Sequence, residues 1–142
     1  MAVFLNNQVG FKLGTVDLSD HVKAFTISQK ADELEVTAMG DTGHRFVKGL
    51  ESNTITVSFL NDDATASVLQ TLQAAYGAST AFKAVQVQSG GSATVSATNP
   101  LYSGLILVNN LTPINGAVGD IATQDITFTV NGALSVANTG TW

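Results

Sequence analysis

The chain has 142 residues, enough for one domain that can bury on the order of 70% of the surface its unfolded form exposes. Only 12% of its residues are charged, against about 25% in an average soluble domain, and six basic residues stand against eleven acidic ones, none of the basic ones after Lys83. That balance argues against nucleic-acid binding as a purpose, because phosphate contacts need Lys and Arg to displace counterions, and the absence of cysteine removes a disulfide framework or thiolate metal site.

A surface this poor in charge is weakly defended against self-association, which is a first hint of assembly. The longest clean aliphatic run, Leu105 to Val108, falls far short of the roughly 20 residues of a membrane-spanning helix. The start, Met-Ala-Val-Phe-Leu-Asn-Asn-Gln, lacks the basic and apolar regions of a secretory signal. A soluble protein with no membrane partner is expected.

In chain order, strands are expected near residues 3 to 5 and 10 to 16, then around 22 to 30, where Phe25 and Ile27 alternate with Thr26 and Ser28. Residues 31 to 50 hold acids and glycines without a local core and are expected to form a projecting loop. From 53 to 60 the alternation is clear: Ile55, Val57 and Phe59 oppose Thr54, Thr56 and Ser58. One helix is predicted over 63 to 76, since Val68, Leu69, Leu72, Ala75 and Tyr76 fall on one stripe. Asp62 or Asp63 is expected to cap it, and Gly77 to end it.

A strand is expected over 82 to 88, a flexible connection at Ser89-Gly90-Gly91-Ser92 and a turn at Asn99-Pro100. Further strands follow at 101 to 109, 121 to 130 and 133 to 137. In 121 to 130, Ala122, Ile126, Phe128 and Val130 should face the core, opposite Thr123, Asp125, Thr127 and Thr129, with Gln124 interrupting the apolar side. Trp142 is too large an apolar group to leave in water and should dock on its own or a neighbouring subunit, its own being favoured. Many short strands and one helix predict a single all-β domain, a β-sandwich or open barrel with a flanking α-helix.

Asp41-Thr42-Gly43 is the tripeptide of aspartic proteases, whose two carboxylates share a proton. Here Met39-Gly40 precedes it instead of the buried aliphatic strand such an active site requires, so an ordinary Gly-rich turn is the better reading. Asp62 and Asp63 lack the further oxygen ligands of a calcium loop, and His21 and His44 have no partner at metal-ligand spacing. No Gly-x-Ser-x-Gly elbow or phosphate-binding Gly loop occurs. No enzymatic site, metal or cofactor is expected.

The order of Asp17-Leu18-Ser19-Asp20-His21-Val22-Lys23, Ala31-Asp32-Glu33-Leu34-Glu35, Thr37-Ala38-Met39-Gly40-Asp41-Thr42-Gly43, Gly49-Leu50 and Ser58-Phe59-Leu60-Asn61-Asp62 resembles the major tail tube protein of long-tailed bacteriophages, particularly the non-contractile type. The likeness continues more loosely through Asn99-Pro100-Leu101-Tyr102-Ser103-Gly104 and from Gly119-Asp120 to Gly132. It implies a virion subunit, six to a ring, with rings stacked into a tube through which double-stranded DNA passes without specific binding. It also implies related folds in contractile tails and type VI secretion, assembly in the host cytoplasm, and tape measure, tail terminator and distal tail proteins as partners. The immunoglobulin-like decoration domain of some relatives is not expected after the last strand.

A tube subunit needs heterologous faces, and residues 31 to 50 suit that work. Leu34, Val36 and Met39 would anchor a neighbour, while Asp32, Glu33 and Glu35 could meet its Lys30, Arg45 or Lys48. A conduit for DNA should be neutral or acidic, so Thr54, Thr56, Ser58, Thr123, Asp125, Thr127 and Thr129 are the candidate lumen residues. The competing expectation is a monomeric β-sandwich that binds a receptor or carbohydrate, which would need exposed aromatics.

Overall fold

A computed structural model describes residues 9–86 and 93–142. The expected strand near 3 to 5 and the connection at 89 to 92 lie outside them. Within them the chain is all-β with one α-helix: β1 Gly10–Leu13, β2 Val16–Asp17, β3 Val22–Ser28, β4 Ala31–Glu35, β5 Phe46–Glu51, β6 Thr54–Leu60, α1 Val68–Ala75, β7 Ser79–Val85, β8 Leu101–Leu107, β9 Thr123–Val130 and β10 Ser135–Ala137.

One antiparallel sheet runs β2-β1-β7-β8-β9-β6-β3, with β10 beside β8, and β4 pairs with β5 apart from it. Strands near opposite ends of that order meet face to face, because Phe11 of β1 lies 5.3 Å from Phe25 of β3 and 5.9 Å from Phe59 of β6, ring centre to ring centre. The sheet therefore curls over its apolar face, giving the expected sandwich. The alternation in the sequence supplies that face: Ile55, Val57, Phe59, Ile126 and Phe128 are buried together with Phe11, Phe82 and Ile106. Each such side chain contributes roughly 1.5–3 kcal/mol on leaving water.

Gln124, on the buried side of β9, donates through Nε2 to Asn61 Oδ1 at 3.0 Å, while its Oε1 is buried without a hydrogen-bond partner among the described residues. Ala122 precedes the strand and is exposed, contrary to the expected core position.

The predicted strand over 10 to 16 is two strands, turned at Gly14, whose φ of +63° suits glycine. The helix is shorter than predicted because residues 62 to 67 fold into a turn of their own. There the Asp62 carboxylate accepts hydrogen bonds from Ala64 N at 3.0 Å and Ser67 Oγ at 2.8 Å. Asp62 thus fixes the turn before the helix, not the helix end, and Ser67 precedes α1 without a side-chain cap. Gly77 ends the helix as expected, at φ +83°, and its N–H donates to Val108 O at 2.6 Å. Val68 and Leu72 are buried, but Tyr76 escapes the stripe and is 55% exposed.

Trp142 docks on its own subunit. A β-carbon at Gly10 would stand 2.8 Å from Trp142 Cζ2, so only the bare backbone of β1 admits the ring. Lys12 Nζ sits 4.3 Å from the ring centre, and Lys83 Nζ donates to Thr141 O at 3.3 Å.

Candidate assembly surfaces

Residues 31 to 50, expected as a loop, form most of a β-hairpin. Glu33 pairs with Lys48, Leu34 with Val47 and Glu35 with Phe46, and Val36 N donates to Arg45 O at 2.8 Å. The signal was present in Glu33-Leu34-Glu35-Val36, which alternates with strand period. It reads as a loop only while a strand is assumed to need a core beneath it. The register puts Leu34, Val36 and Val47 on one face and Glu33, Glu35, Phe46 and Lys48 on the other.

Neither face is covered. Leu34, Val36, Phe46 and Val47 are each about half exposed, while Leu50 at 81% and Met39 at 104% stand fully in solvent. Met39 and the Asp-Thr-Gly tripeptide lie in the hairpin tip, where Ala38 N donates to Asp41 Oδ2 at 2.9 Å and Asp41 N to Ala38 O at 3.2 Å. Asp41 closes a turn. Several charges expected to reach a neighbour have partners within the hairpin: Lys48 Nζ with Glu51 Oε1 at 2.5 Å, His44 Nδ1 with Glu35 Oε2 at 2.7 Å, and Arg45 with Asp41 at 3.7 Å. Exposed pairs of this kind are worth little, which leaves the apolar side chains as the stronger anchors. The hydrogen bond from Lys48, followed by that from Asn53, holds the Glu51 carboxyl below the usual carboxylate range.

The base of the hairpin depends on Asn53, which the sequence did not single out. It is 2% exposed. Its Oδ1 accepts from Lys30 N at 3.1 Å, its Nδ2 donates to Glu51 Oε2 at 3.2 Å, and its carbonyl accepts from Val130 N at 3.0 Å. One side chain thus ties both hairpin strands to each other, and its backbone ties them to β9.

The second surface is the polar face of β6 and β9, whose candidate residues the structure brings together. Thr54 stands opposite Thr129, Thr56 opposite Thr127, Ser58 opposite Asp125, and Leu60 opposite Thr123. Thr56 and Thr127 hydroxyls lie 3.4 Å apart, and Ser58 Oγ donates to Asp125 Oδ1. The register continues this face onto β3 through Ala24, Thr26 and Ser28. Neither β6 nor β9 carries a basic residue, and Lys23 enters only at the bulge between Val22 and Ala24.

A cleft of about 190 Å³ between β3 and β7 is lined by Val9, Phe25, Ile27, Gln29, Ala84, Val85, Gln86 and Tyr102. It holds no carboxylate, histidine or lysine. Among the described residues no three His, Asp or Glu side chains converge as a metal site would require, and no helix is long and apolar enough to cross a membrane.

No family model matches the sequence, and no curated protein does. Solved structures do match in fold. A chain of the virion of a native gene transfer agent particle superposes with a TM-score of 0.70 at 15% identity, covering 95% of this chain and 99% of that one. A chain of the tail of an empty gene transfer agent particle, refined with C6 symmetry, gives 0.67 at 18% identity, covering 96% and 99%. A chain of the six-fold symmetrised baseplate of the anti-feeding prophage gives 0.54 at 6% identity, covering 96% of each. The chain therefore shares, over almost its whole length, a fold found in phage-like tail and baseplate particles.

Proposed function

We propose that this protein is a structural virion subunit that assembles with itself into six-membered rings, stacked as the tail tube through which the genome is ejected. The observation that carries this reading is the β4–β5 hairpin, a two-stranded sheet with large apolar side chains open to solvent on both faces. An isolated hairpin is marginal in water, and exposed aliphatic groups of this size mark interaction sites. The interface residues are Asp32, Glu33, Leu34, Glu35, Val36, Met39, Arg45 and Lys48. The fold shared with a C6-symmetric tail supports self-association as the partner chemistry. Tape measure, terminator and distal tail proteins then follow as partners from the sequence resemblance.

In this reading the Thr-rich face of β6 and β9 lines the bore. Hydroxyls and one carboxylate offer DNA no cation to bind, and Asp125 repeated around a ring sets a negative potential that keeps the duplex sliding. Negative-stain microscopy of the purified protein should show rings or tubes of uniform diameter. A protein that stays monomeric at every concentration and ionic strength contradicts the proposal. For the bore, Asp125→Lys should still assemble yet yield tubes that retain double-stranded DNA at low salt. Asp125 on the outer wall, or DNA passage unchanged in that variant, contradicts the lumen assignment.

A further inference from the structure

The most exposed large aliphatic residues outside the hairpin fall in one segment. Ile114, Val118 and Ile121 are 96%, 106% and 74% exposed, and all lie in the segment between β8 and β9. The segment is anchored along its length. Asn110 Nδ2 donates to Thr127 O at 3.3 Å, Asn115 Nδ2 to Thr123 O at 3.4 Å, and Asn61 Nδ2 to Pro113 O at 3.0 Å, while Asn61 N donates to Ala122 O at 2.9 Å. Leu111 of the same segment packs on the core. The backbone is thus held to the body while three aliphatic side chains are turned away from it.

The two apolar clusters lie at opposite poles of the same strands. β6 and β9 pair from Thr54 with Thr129 at one end to Leu60 with Thr123 at the other. The hairpin leaves from the Thr54 end, and the tip of the 109–122 segment is tied to Asn61 and Thr123 at the far end. The six steps from Thr54 to Leu60, at about 3.3 Å each, put roughly 20 Å between the poles. The clusters cannot meet within one chain. Between two copies displaced along the strands they can, and a contact between unlike poles repeats without limit.

Any ionic part of such a contact is local, since both poles carry more acids than bases. The far pole carries Asp62 and Asp63 after β6, Asp20 through its contact with His21, and Asp120 in the segment itself. Residues 30 to 51 bring Lys30, Arg45 and Lys48 beside five acids, Asp32, Glu33, Glu35, Asp41 and Glu51, and Lys48 is already paired with Glu51. Arg45 is 69% exposed and held only at 3.7 Å by Asp41.

We propose that the 109–122 segment is the acceptor for the hairpin of a second copy. Ile114, Val118 and Ile121 pack on its Leu34–Val36–Val47 face, and Arg45 reaches Asp120. This rests on the self-assembly reading and adds to it which two surfaces stack.

The chain has no cysteine, so paired substitutions report contact without background. Leu34→Cys or Val36→Cys should be combined with Val118→Cys or Ile121→Cys, and the assembled proteins oxidised mildly. Disulfide-linked ladders are expected from at least one combined variant, and linked dimers at most from a mixture of the two single variants. Tubes by microscopy with no ladder from any of the four pairs overturn the acceptor assignment and leave the tube reading intact. Failure of every variant and of the parent protein to assemble overturns both. Val118→Asn with Ile121→Asn, at exposed positions, should leave the thermal midpoint nearly unchanged and abolish tubes. Tubes of normal length from that variant overturn the assignment.

Discussion

The β6–β9 pair and the β4–β5 hairpin are both antiparallel and both alternate apolar with polar residues, yet only the first has anything packed beneath it. Ile55, Val57, Phe59 and Phe128 are sealed completely, while Leu34, Val36, Phe46 and Val47 each leave about half their surface in water. The difference lies in what surrounds the strands. β6 and β9 are central in a curled sheet, whereas β4 and β5 have only each other. Alternation therefore specifies a strand, and the neighbours decide whether its apolar face serves folding or association.

The largest effect expected from this contrast is on stability. Phe59→Ala or Phe128→Ala should cost about 3–5 kcal/mol through lost burial and a cavity, while Phe46→Ala in the hairpin should stay within about 0.5 kcal/mol. Urea denaturation of the dissociated subunit measures both. Similar costs at the two places would break the comparison. Asn53→Ala, at the junction, removes the partly buried hydrogen bonds to Lys30 N and Glu51 Oε2 and should cost about 1–3 kcal/mol in all, with faster amide exchange across residues 31 to 51. Unchanged exchange there would mean the hairpin is oriented by something else.

Gly10→Ala tests the other end of the sheet. The added methyl meets the Trp142 ring and Val85 at under 3 Å, so the ring must leave its seat at a cost of about 1–3 kcal/mol, red-shifting tryptophan emission. An unshifted spectrum would contradict the docking.

The smallest effect is on acid stability. Ala64 N, then Ser67, hold the Asp62 carboxyl below the usual range. A lowered folded pKa means the unfolded chain binds more protons as pH falls. The stabilisation is therefore full above the ordinary carboxylate range and lost as pH drops through the lowered value. Asp62→Asn should flatten that acid limb of global unfolding. Glu51→Gln, at the hairpin base, should act mainly on hairpin exchange.

The body of the molecule was legible because its signals are local and repeated. Ile55-Thr56-Val57-Ser58-Phe59 states a strand face, Val68 and Leu72 a helix stripe, and Gly77 its end. Gln124 could be placed on the buried side by parity alone. In the hairpin the strand period of Glu33-Leu34-Glu35-Val36 was present but went unread, since its pairing partners lie 11 to 20 residues apart and no core beneath announces them. Asn53 and the 109–122 segment carried no pattern. One buried amide that ties a hairpin base looks like any polar turn residue, and Asn, Gly and Pro between aliphatics look like a solvated loop until their hydrogen bonds are seen. The helix start was misplaced because Asp62 satisfies the preceding turn, a competition that spacing does not reveal.

The central claim is that the hairpin builds the assembly and contributes little to the fold. Replacing residues 33 to 47 with a short Gly-Ser linker separates the two roles in one preparation, with sedimentation and microscopy read beside circular dichroism. The account predicts rings or tubes from the parent protein, and from the variant a β-rich monomer that unfolds cooperatively at a nearly unchanged midpoint. A variant that still polymerises, or one that no longer folds, would contradict it.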